Sequence, residues 1–212
     1  SIFLLIAQLS DSGLDAKSVA LLGTLAALLA ALRPLGAGAV GLEPMWFLLI
    51  LAARVFGSAF GFLLGVLGML ASALLTGGFG PWLAYQLFAA GLVGLFAGSF
   101  PARIKGRAEI LLLIFIAILA SLIFGLLMDL QFWPWALGGD TQLSYLPGAP
   151  ILENLNRFIT FHFLSSMAWD IPRAVLTSTL IVITAPAVLS ALRRTRTKAA
   201  FLTPVEFSAR LK

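Results

Sequence analysis

The sequence Gly-Gly-Phe-Gly-Pro-Trp-Leu-Ala-Tyr-Gln, residues 77–86, lies between two apolar segments that are each long enough to cross a lipid bilayer. A glycine-rich turn in this setting predicts a helical hairpin whose turn lies at a membrane surface. Glycines recur every four residues on both arms, at 57, 61 and 65 and at 94 and 98. The two helix backbones are therefore predicted to approach closely. Pro81 suits the first turn of the second helix, because a proline there loses no intrahelical hydrogen bond.

The composition of the whole chain agrees with a membrane location. Of 212 residues, 60% are hydrophobic and only 11% are charged, and the mean hydropathy is +1.03. A typical soluble domain has about 25% charged residues. The net charge of +5 is spread over the predicted loops rather than collected on one face, which argues against nucleic-acid binding. With no cysteine and a single histidine, the chain offers neither a thiolate metal site nor a histidine cluster, and we expect no resident cofactor or metal.

Apolar runs divide the chain into six predicted spans, which makes it an all-α, polytopic bundle forming a single integral membrane domain over residues 1–212. The second run is short and contains Arg54, so it is either a thinned crossing or a helix that starts below the surface. The predicted spans are 17–33, 45–56, 57–75, 81–100, 108–130 and 164–192, with an outer loop at 131–163 and a basic tail at 193–212.

Basic residues predict the orientation of this bundle. With six spans, 11 of the 14 basic residues fall on the side that carries both termini. By the positive-inside rule that side is cytoplasmic. The 11 residues are Lys17, Arg54, Arg103, Lys105, Arg107, Arg193, Arg194, Arg196, Lys198, Arg210 and Lys212.

Polar and aromatic residues gather toward the opposite, outer side. Trp82, Tyr85 and Gln86 share one helical face, which is either an interfacial aromatic belt or a ligand wall. Asp170 and Arg173 are three residues apart on a helix and can pair there. Catalytic and phosphate-binding motifs are absent, which argues against an enzyme. An apolar pocket with a few placed polar groups is instead typical of small-molecule binding.

The first span carries a surface of small residues. Ala27 and Ala31 continue a four-residue ladder from Gly23, and Ala26 and Ala30 form a second ladder beside it. A helix with so few large side chains favours close packing against another helix, within this chain or in a partner.

The chain resembles the membrane-embedded substrate-binding (S) components of energy-coupling factor (ECF) vitamin transporters, and most of all the actinobacterial branch assigned to cobalamin. The stretches that carry the resemblance are spread over most of the chain. They are TLAALLAALRPLGAG (24–38), FLLILAARVFG (47–57), GFLLG (61–65), ALLTGGFGPW (73–82), SYLPGAP (144–150) and WD (169–170).

The resemblance implies a substrate-binding subunit of an ABC-type importer in a bacterial plasma membrane, with cobalamin or a corrinoid precursor as the expected ligand. Its implied partners are a transmembrane T component, on which the S component topples, and two cytosolic ATPases that hydrolyse ATP. It implies docking through Ala26 and Ala30 or through Ala27 and Ala31, with the register open. The vitamin-binding residues are then expected to be Glu43, Trp82, Tyr85, Gln86, Asp129, Trp133, Asn154, Asn156, Trp169, Asp170 and Arg173.

Three alternatives stay open at this point. In the first, the chain is an S component for another vitamin or a heterocyclic precursor. In the second, it is a membrane assembly protein without a ligand. The least favoured alternative is an intramembrane enzyme built around His162 and Ser165.

Overall fold

The computed structural model describes residues 16–36, 40–136 and 141–200, and within these every regular element is a helix. The predicted all-α class is confirmed. A 3-10 turn at Arg33–Gly36 follows the first helix. The seven α-helices are α1 Ala16–Leu32, α2 Met45–Phe56, α3 Ser58–Thr76, α4 Leu83–Gly98, α5 Arg107–Ala136, α6 Ile151–Ser165 and α7 Met167–Ala200.

Four of these helices are long and apolar enough to cross a membrane, over Lys17–Gly36, Ser58–Thr76, Arg107–Trp135 and Met167–Thr197. The helices α2 and α4 are apolar but shorter, with 12 and 16 residues. At a rise of about 1.5 Å per residue, α2 spans only about 18 Å, against roughly 30 Å of bilayer hydrocarbon. The described chain is therefore a multi-pass membrane protein in which helices of unequal length pack together.

The glycine-rich hairpin forms as the sequence predicts. Gly77 ends α3 in the left-handed conformation, with φ of 66°, and its N–H donates to the carbonyl of Ala73. Further along, Gly61 and Gly94 meet backbone to backbone, so that a Cβ on either would collide with the other chain segment. The two helices thus pack along the predicted side-chain-free strip. Pro81 lies in the turn just before α4 rather than inside it, since α4 begins at Leu83.

The short helix α2 forms the centre of the bundle. Ten of its 12 residues are buried, including the large side chains of Met45, Leu49 and Leu51. A helix that is apolar on every side is stable only when other helices surround it, and α2 contacts α3, α4, α5 and α7. Its position defines two ends of the bundle, which we name the Glu43 end, where α2 begins, and the Arg54 end.

At the Arg54 end, the buried Arg54 is fully paired. Its Nε donates to Glu109 Oε1 at 3.0 Å, and its two Nη atoms donate to the carbonyls of Phe100, Pro101 and Ile104. Arg193 donates to both oxygens of the same Glu109, at 2.6 and 2.8 Å. These bonds explain how an arginine sits in an otherwise apolar helix, because a buried charge is tolerated when it is paired and hydrogen-bonded.

The segment predicted as an outer loop, residues 131–163, is largely helical. The helix α5 continues six residues beyond its predicted end, to Ala136, and α6 covers residues 151–165. On α6, Phe158 and Phe161 are buried against Trp133, while Ile151 and Leu152 are exposed. A moderately polar helix that leaves large apolar side chains exposed is typical of a helix at a membrane surface. Part of the predicted basic tail, residues 201–212, lies outside the described residues.

Candidate ligand-binding site

Glu43 lies just before α2 and is the central acceptor of the Glu43 end. Its carboxylate accepts a hydrogen bond from Trp46 Nε1 at 2.9 Å and one from Arg33 Nε at 3.4 Å. Arg33 also reaches across to α3, where its Nη1 lies 3.4 Å from Ser72 Oγ. One carboxylate therefore joins the end of α1, the start of α2 and, through Arg33, the end of α3.

A second ion pair, between Asp170 and Arg173, is buried near the start of α7. Arg173 Nη1 donates to Asp170 Oδ1 at 2.6 Å, and Ser166 Oγ donates to Asp170 Oδ2 at 3.1 Å. The guanidinium carbon of Arg173 lies 4.9 Å from the centre of the Phe124 ring. This geometry adds a cation–π contact to the ion pair, which compensates for the burial of both charges.

Arg173 also connects this pair to Glu43. Its Nε lies 3.6 Å from Glu43 Oε2, which is close enough for an ion pair but too long for a hydrogen bond. That Nε is buried and has no hydrogen-bond partner among the described residues. An unpaired buried N–H donor costs stability, so it marks a place where a ligand acceptor would be favourable.

The first of two neighbouring cavities, which we name the Glu43 cavity, has a volume of about 320 Å³. Four of the predicted site residues border it, namely Glu43, Trp82, Gln86 and Trp169. Residues from the ends of α1 and α3 complete the lining. Its lining residues are Arg33, Pro34, Gly36, Glu43, Ser72, Thr76, Gly78, Trp82, Gln86 and Trp169.

The second, which we name the Asp170 cavity, has a volume of about 220 Å³ and shares Trp169 with the first. Asp129, Asp170 and Arg173 border it, with Phe124 and Phe132 among its apolar walls. Asp129 is held by His162, whose Nδ1 lies 2.7 Å from Asp129 Oδ2. In the part of the chain that is described, no three His, Asp or Glu side chains are arranged to hold a metal ion.

Four other predicted site residues lie away from both cavities. Tyr85 is 53% exposed. Trp133 packs on Phe158 and donates from Nε1 to the carbonyl of Leu143. Asn154 hydrogen-bonds the backbone of Leu146 through both its side-chain oxygen and nitrogen. Asn156 is exposed on α6. Trp133 and Asn154 thus hold the segment between α5 and α6 in place.

Several residues of the site were not among those predicted. Trp46 and Ser72 belong to the group of side chains joined to Glu43, which we name the Glu43 network: Arg33, Glu43, Trp46, Ser72 and Arg173. The sequence signal for Trp46 was its i, i+3 spacing from Glu43, and the signal for Ser72 was a pair of polar residues, with Thr76, in an apolar helix. Gly125 is the only glycine of α5. A Cβ there would collide with the Asp170 carboxylate, so the glycine provides the space that the buried ion pair occupies.

The two alanine ladders of α1 have different surroundings. Ala26 and Ala30 are buried in the core, with exposures of 6% and 0%, on the side where Leu29 packs onto Gly68 of α3. Ala27 and Ala31 are exposed. A Cβ at Gly23 would meet nothing within 4 Å, so the face formed by positions 23, 27 and 31 is open.

Comparison with protein families decides the class of this molecule. Residues 13–146 match the model of a family described as ECF-type riboflavin transporter, S component. The chain belongs to this family. The match covers more than half of the 212 residues and includes every described residue of the Glu43 network except those of α7. Comparisons with curated proteins and with solved structures gave no significant match.

Family membership confirms the predicted ECF S component, a substrate-binding subunit of a membrane transporter and not an enzyme. In an S component, the helices supply a binding site and ATP hydrolysis belongs to partner subunits. The two cavities at the Glu43 end are therefore candidate sites for transported substrate, and the ion pairs that border them are candidate binding groups.

Proposed function

We propose that this S component binds a planar heterocyclic vitamin of about flavin size in the Glu43 cavity. The observation that carries the proposal is the cavity itself, in which two tryptophans border a space that also holds an arginine, a carboxylate and a carboxamide. Such a site, mostly apolar with a few placed polar groups, is what small-molecule pockets have in common.

The chemistry of the lining suits a flavin-like ring. Trp82 and Trp169 offer aromatic faces against which a planar ring can stack. Arg33 and Gln86 supply N–H donors for ring carbonyls, and Glu43 supplies an acceptor for a ring N–H. The hydroxyls of Ser72 and Thr76 suit a polyol side chain, since hydroxyl groups both donate and accept hydrogen bonds.

Size favours this class of ligand over a corrinoid. The Glu43 cavity, at about 320 Å³, is near the lower end of the range for small-molecule sites, roughly 300–1,000 Å³. A corrin ring with its lower nucleotide loop is several times larger than a flavin. Cobalamin would need the two cavities to merge by displacement of Trp169, and it is the competing ligand in the tests below. Riboflavin is favoured further by the name of the matching family.

As part of this proposal, the chain lies in a bacterial plasma membrane as a six-span bundle with both termini in the cytoplasm. Support comes from the alternating directions of α1, α2, α3, α4, α5 and α7, which bring the starts of α1, α3 and α5 to the Arg54 end. It also comes from the basic residues at that end, including Arg54, Lys105 and Arg193. The Glu43 cavity then opens toward the outside.

For the partners, we place T-component docking on the open face of α1. Ala27 and Ala31 remain as docking residues because they are exposed, whereas Ala26 and Ala30 already pack inside the chain. Small side chains on an exposed face allow a second helix to approach closely and to release again.

A ligand panel tests the proposal. The detergent-purified chain is titrated with riboflavin, cobalamin and other vitamins, and both the thermal midpoint and native mass spectra are recorded. Riboflavin should bind at one copy per chain and raise the midpoint, because a ligand that binds only the folded state stabilises it. Binding of cobalamin alone would replace the flavin proposal, and binding of no panel member would contradict the proposal that the Glu43 cavity takes a vitamin of flavin size.

Paired tryptophan variants test the site. Trp169→Ala should weaken riboflavin binding by about tenfold, since a well-packed aromatic contact contributes on the order of 1 kcal/mol or more. Trp135→Ala is the matched control, because Trp135 is 81% exposed and borders neither cavity. Equal affinities for the two variants would place the ligand elsewhere.

A further inference from the structure

A third cavity lies at the Arg54 end, on the far side of the bundle from the Glu43 cavity. Its volume is about 480 Å³, the largest of the three cavities described. Four cationic side chains line it, from α2, from the segment between α4 and α5, and from α7. They are Arg54, Lys105, Arg193 and Arg196, and Val55 and Ala102 form apolar wall between them.

The charges around this cavity do not balance. Among the described residues, Glu109 is the only carboxylate that contacts any of the four cations, and both its oxygens are already bonded to Arg193, with one also bonded to Arg54. Glu109 is itself 2% exposed and is not among the residues that line the cavity. The cavity therefore carries a surplus of positive charge that faces its open space.

Two of the cations have donors left for a ligand. Arg196 uses Nη1 to donate to the carbonyl of Val55 at 2.7 Å, and no acceptor among the described residues takes its other N–H groups. The Lys105 ammonium has no hydrogen-bond or ion-pair partner in the described part of the chain. Arg193 also lines the cavity, and its side chain is 43% exposed although its Nη2 donates to Glu109. An anion with several oxygens would satisfy these donors together.

The place of the cavity in the fold indicates where the anion comes from. It lies where α2 ends, between the segment that joins α4 to α5 and the basic part of α7. In the orientation proposed above, on which this inference rests, this end of the bundle faces the cytoplasmic leaflet. Basic cavities between membrane helices on the cytoplasmic side are suited to the phosphates of anionic lipids. We propose that this cavity binds a phosphate group, presented by an anionic phospholipid of the inner leaflet.

The test uses the full chain with two charges removed from the cavity. Lys105→Gln with Arg196→Gln deletes the cations that have free donors and leaves the Arg54–Glu109–Arg193 cluster intact. Arg103→Gln with Arg194→Gln is the matched control, since it removes one charge from the same loop and one from the same helix, and neither residue lines the cavity. Native mass spectrometry then counts phosphatidylglycerol and phosphatidylcholine retained by each protein, with and without excess inorganic phosphate.

The wild type and the control should retain one phosphatidylglycerol in preference to phosphatidylcholine. The cavity variant should bind phosphatidylglycerol roughly thirtyfold more weakly, which corresponds to about 2 kcal/mol for two cations near a lipid headgroup. Displacement of the lipid by inorganic phosphate would support the phosphate site and assign it to the free ion as well. Unchanged riboflavin binding and an unchanged thermal midpoint in the variant show that it is folded.

Three results would overturn the proposal. The first is equal retention of phosphatidylglycerol by the cavity variant and the control. The second is equal retention of the two lipids by the wild type. The third is a variant that keeps the lipid and loses only its assembly with the T component and ATPases, which would make the cavity a contact site for an acidic protein segment.

Discussion

Glu109 is a single buried carboxylate that serves two arginines. Its replacement by glutamine removes the negative charge and leaves Arg54, at 7% exposure, without an ionic partner. Because an uncompensated buried charge is costly, Glu109→Gln should lower the free energy of unfolding by about 3 kcal/mol. The measurement is the loss of helical signal with heat or denaturant in one detergent.

A surface ion pair in the same chain provides the control for this substitution. Glu153 pairs with Arg157 at 3.0 Å on α6, but its side chain is 45% exposed. Exposed pairs contribute about 1 kcal/mol or less, so Glu153→Gln should leave the unfolding midpoint almost unchanged. If the two variants unfold alike, Glu109 is not the charge that stabilises the Arg54 end.

The sequence predicted which residue types form the site better than it predicted which groups each of these residues contacts. Glu43, Trp82, Gln86 and Trp169 were predicted as site residues and border one cavity. Asn154 belongs to the same polar, outward-facing set in the sequence, yet it bonds the backbone of Leu146. A carboxamide has the same chemistry toward a ligand and toward a loop, and only the path of the chain distinguishes the two.

At the scale of elements, the hairpin of α3 and α4 depends on backbone contact between Gly61 and Gly94. A methyl group at position 61 would force the two helices apart, since its Cβ would meet the backbone of residue 94 and could not be relieved by a side-chain rotation. Gly61→Ala should therefore lower the free energy of unfolding by about 1–3 kcal/mol, as overpacked cores do. Thermal unfolding in detergent measures it.

The matched control is Gly23→Ala on α1, where an added Cβ meets nothing within 4 Å. That variant should be neutral or up to about 1 kcal/mol more stable, because alanine has the higher helix propensity. A loss of stability in Gly23→Ala as large as that in Gly61→Ala would mean that the close backbone contact between α3 and α4 does not explain the effect.

The elements themselves were predicted where apolar runs and turn residues coincide, as at α1, α2 and the hairpin. The sequence did not show that α5 continues to Ala136 or that residues 151–165 form a helix. Pro134 and the aromatic and polar residues after Leu130 resemble a loop by composition. Tertiary packing of Trp133 on Phe158 holds both segments helical, and such long-range contacts override local signals.

The whole molecule is expected to work as one part of a larger transporter, and α1 provides the test. Ala27→Trp places a large side chain on the open face of α1. The variant should fold and bind riboflavin like the wild type but lose more than about tenfold in assembly with the T component, because close helix approach is blocked. Co-purification of the complex and vitamin uptake by cells provide the measurements.

The neighbouring substitution Ala26→Trp has a different expected result. Ala26 is 6% exposed and belongs to the core, so a tryptophan there should destabilise the chain itself and reduce riboflavin binding together with assembly. Normal assembly of the Ala27→Trp variant would show that the T component docks on another face. The open choice between the two ladders could not be made from the sequence, because both have the same spacing.

The shortness of α2 has an electrical consequence for the membrane in which the bundle lies. The charged groups around Glu43 and those around Arg54 are separated by one buried helix of 12 residues, about 18 Å, whereas the surrounding bilayer insulates over roughly 30 Å. In the six-span topology proposed above, much of the transmembrane voltage is expected to fall across this thinner apolar layer, so the local field there would be stronger than in the lipid around it. In that topology, the buried side chains of Leu49 and Leu51 are expected to keep ions and water out of this short apolar layer.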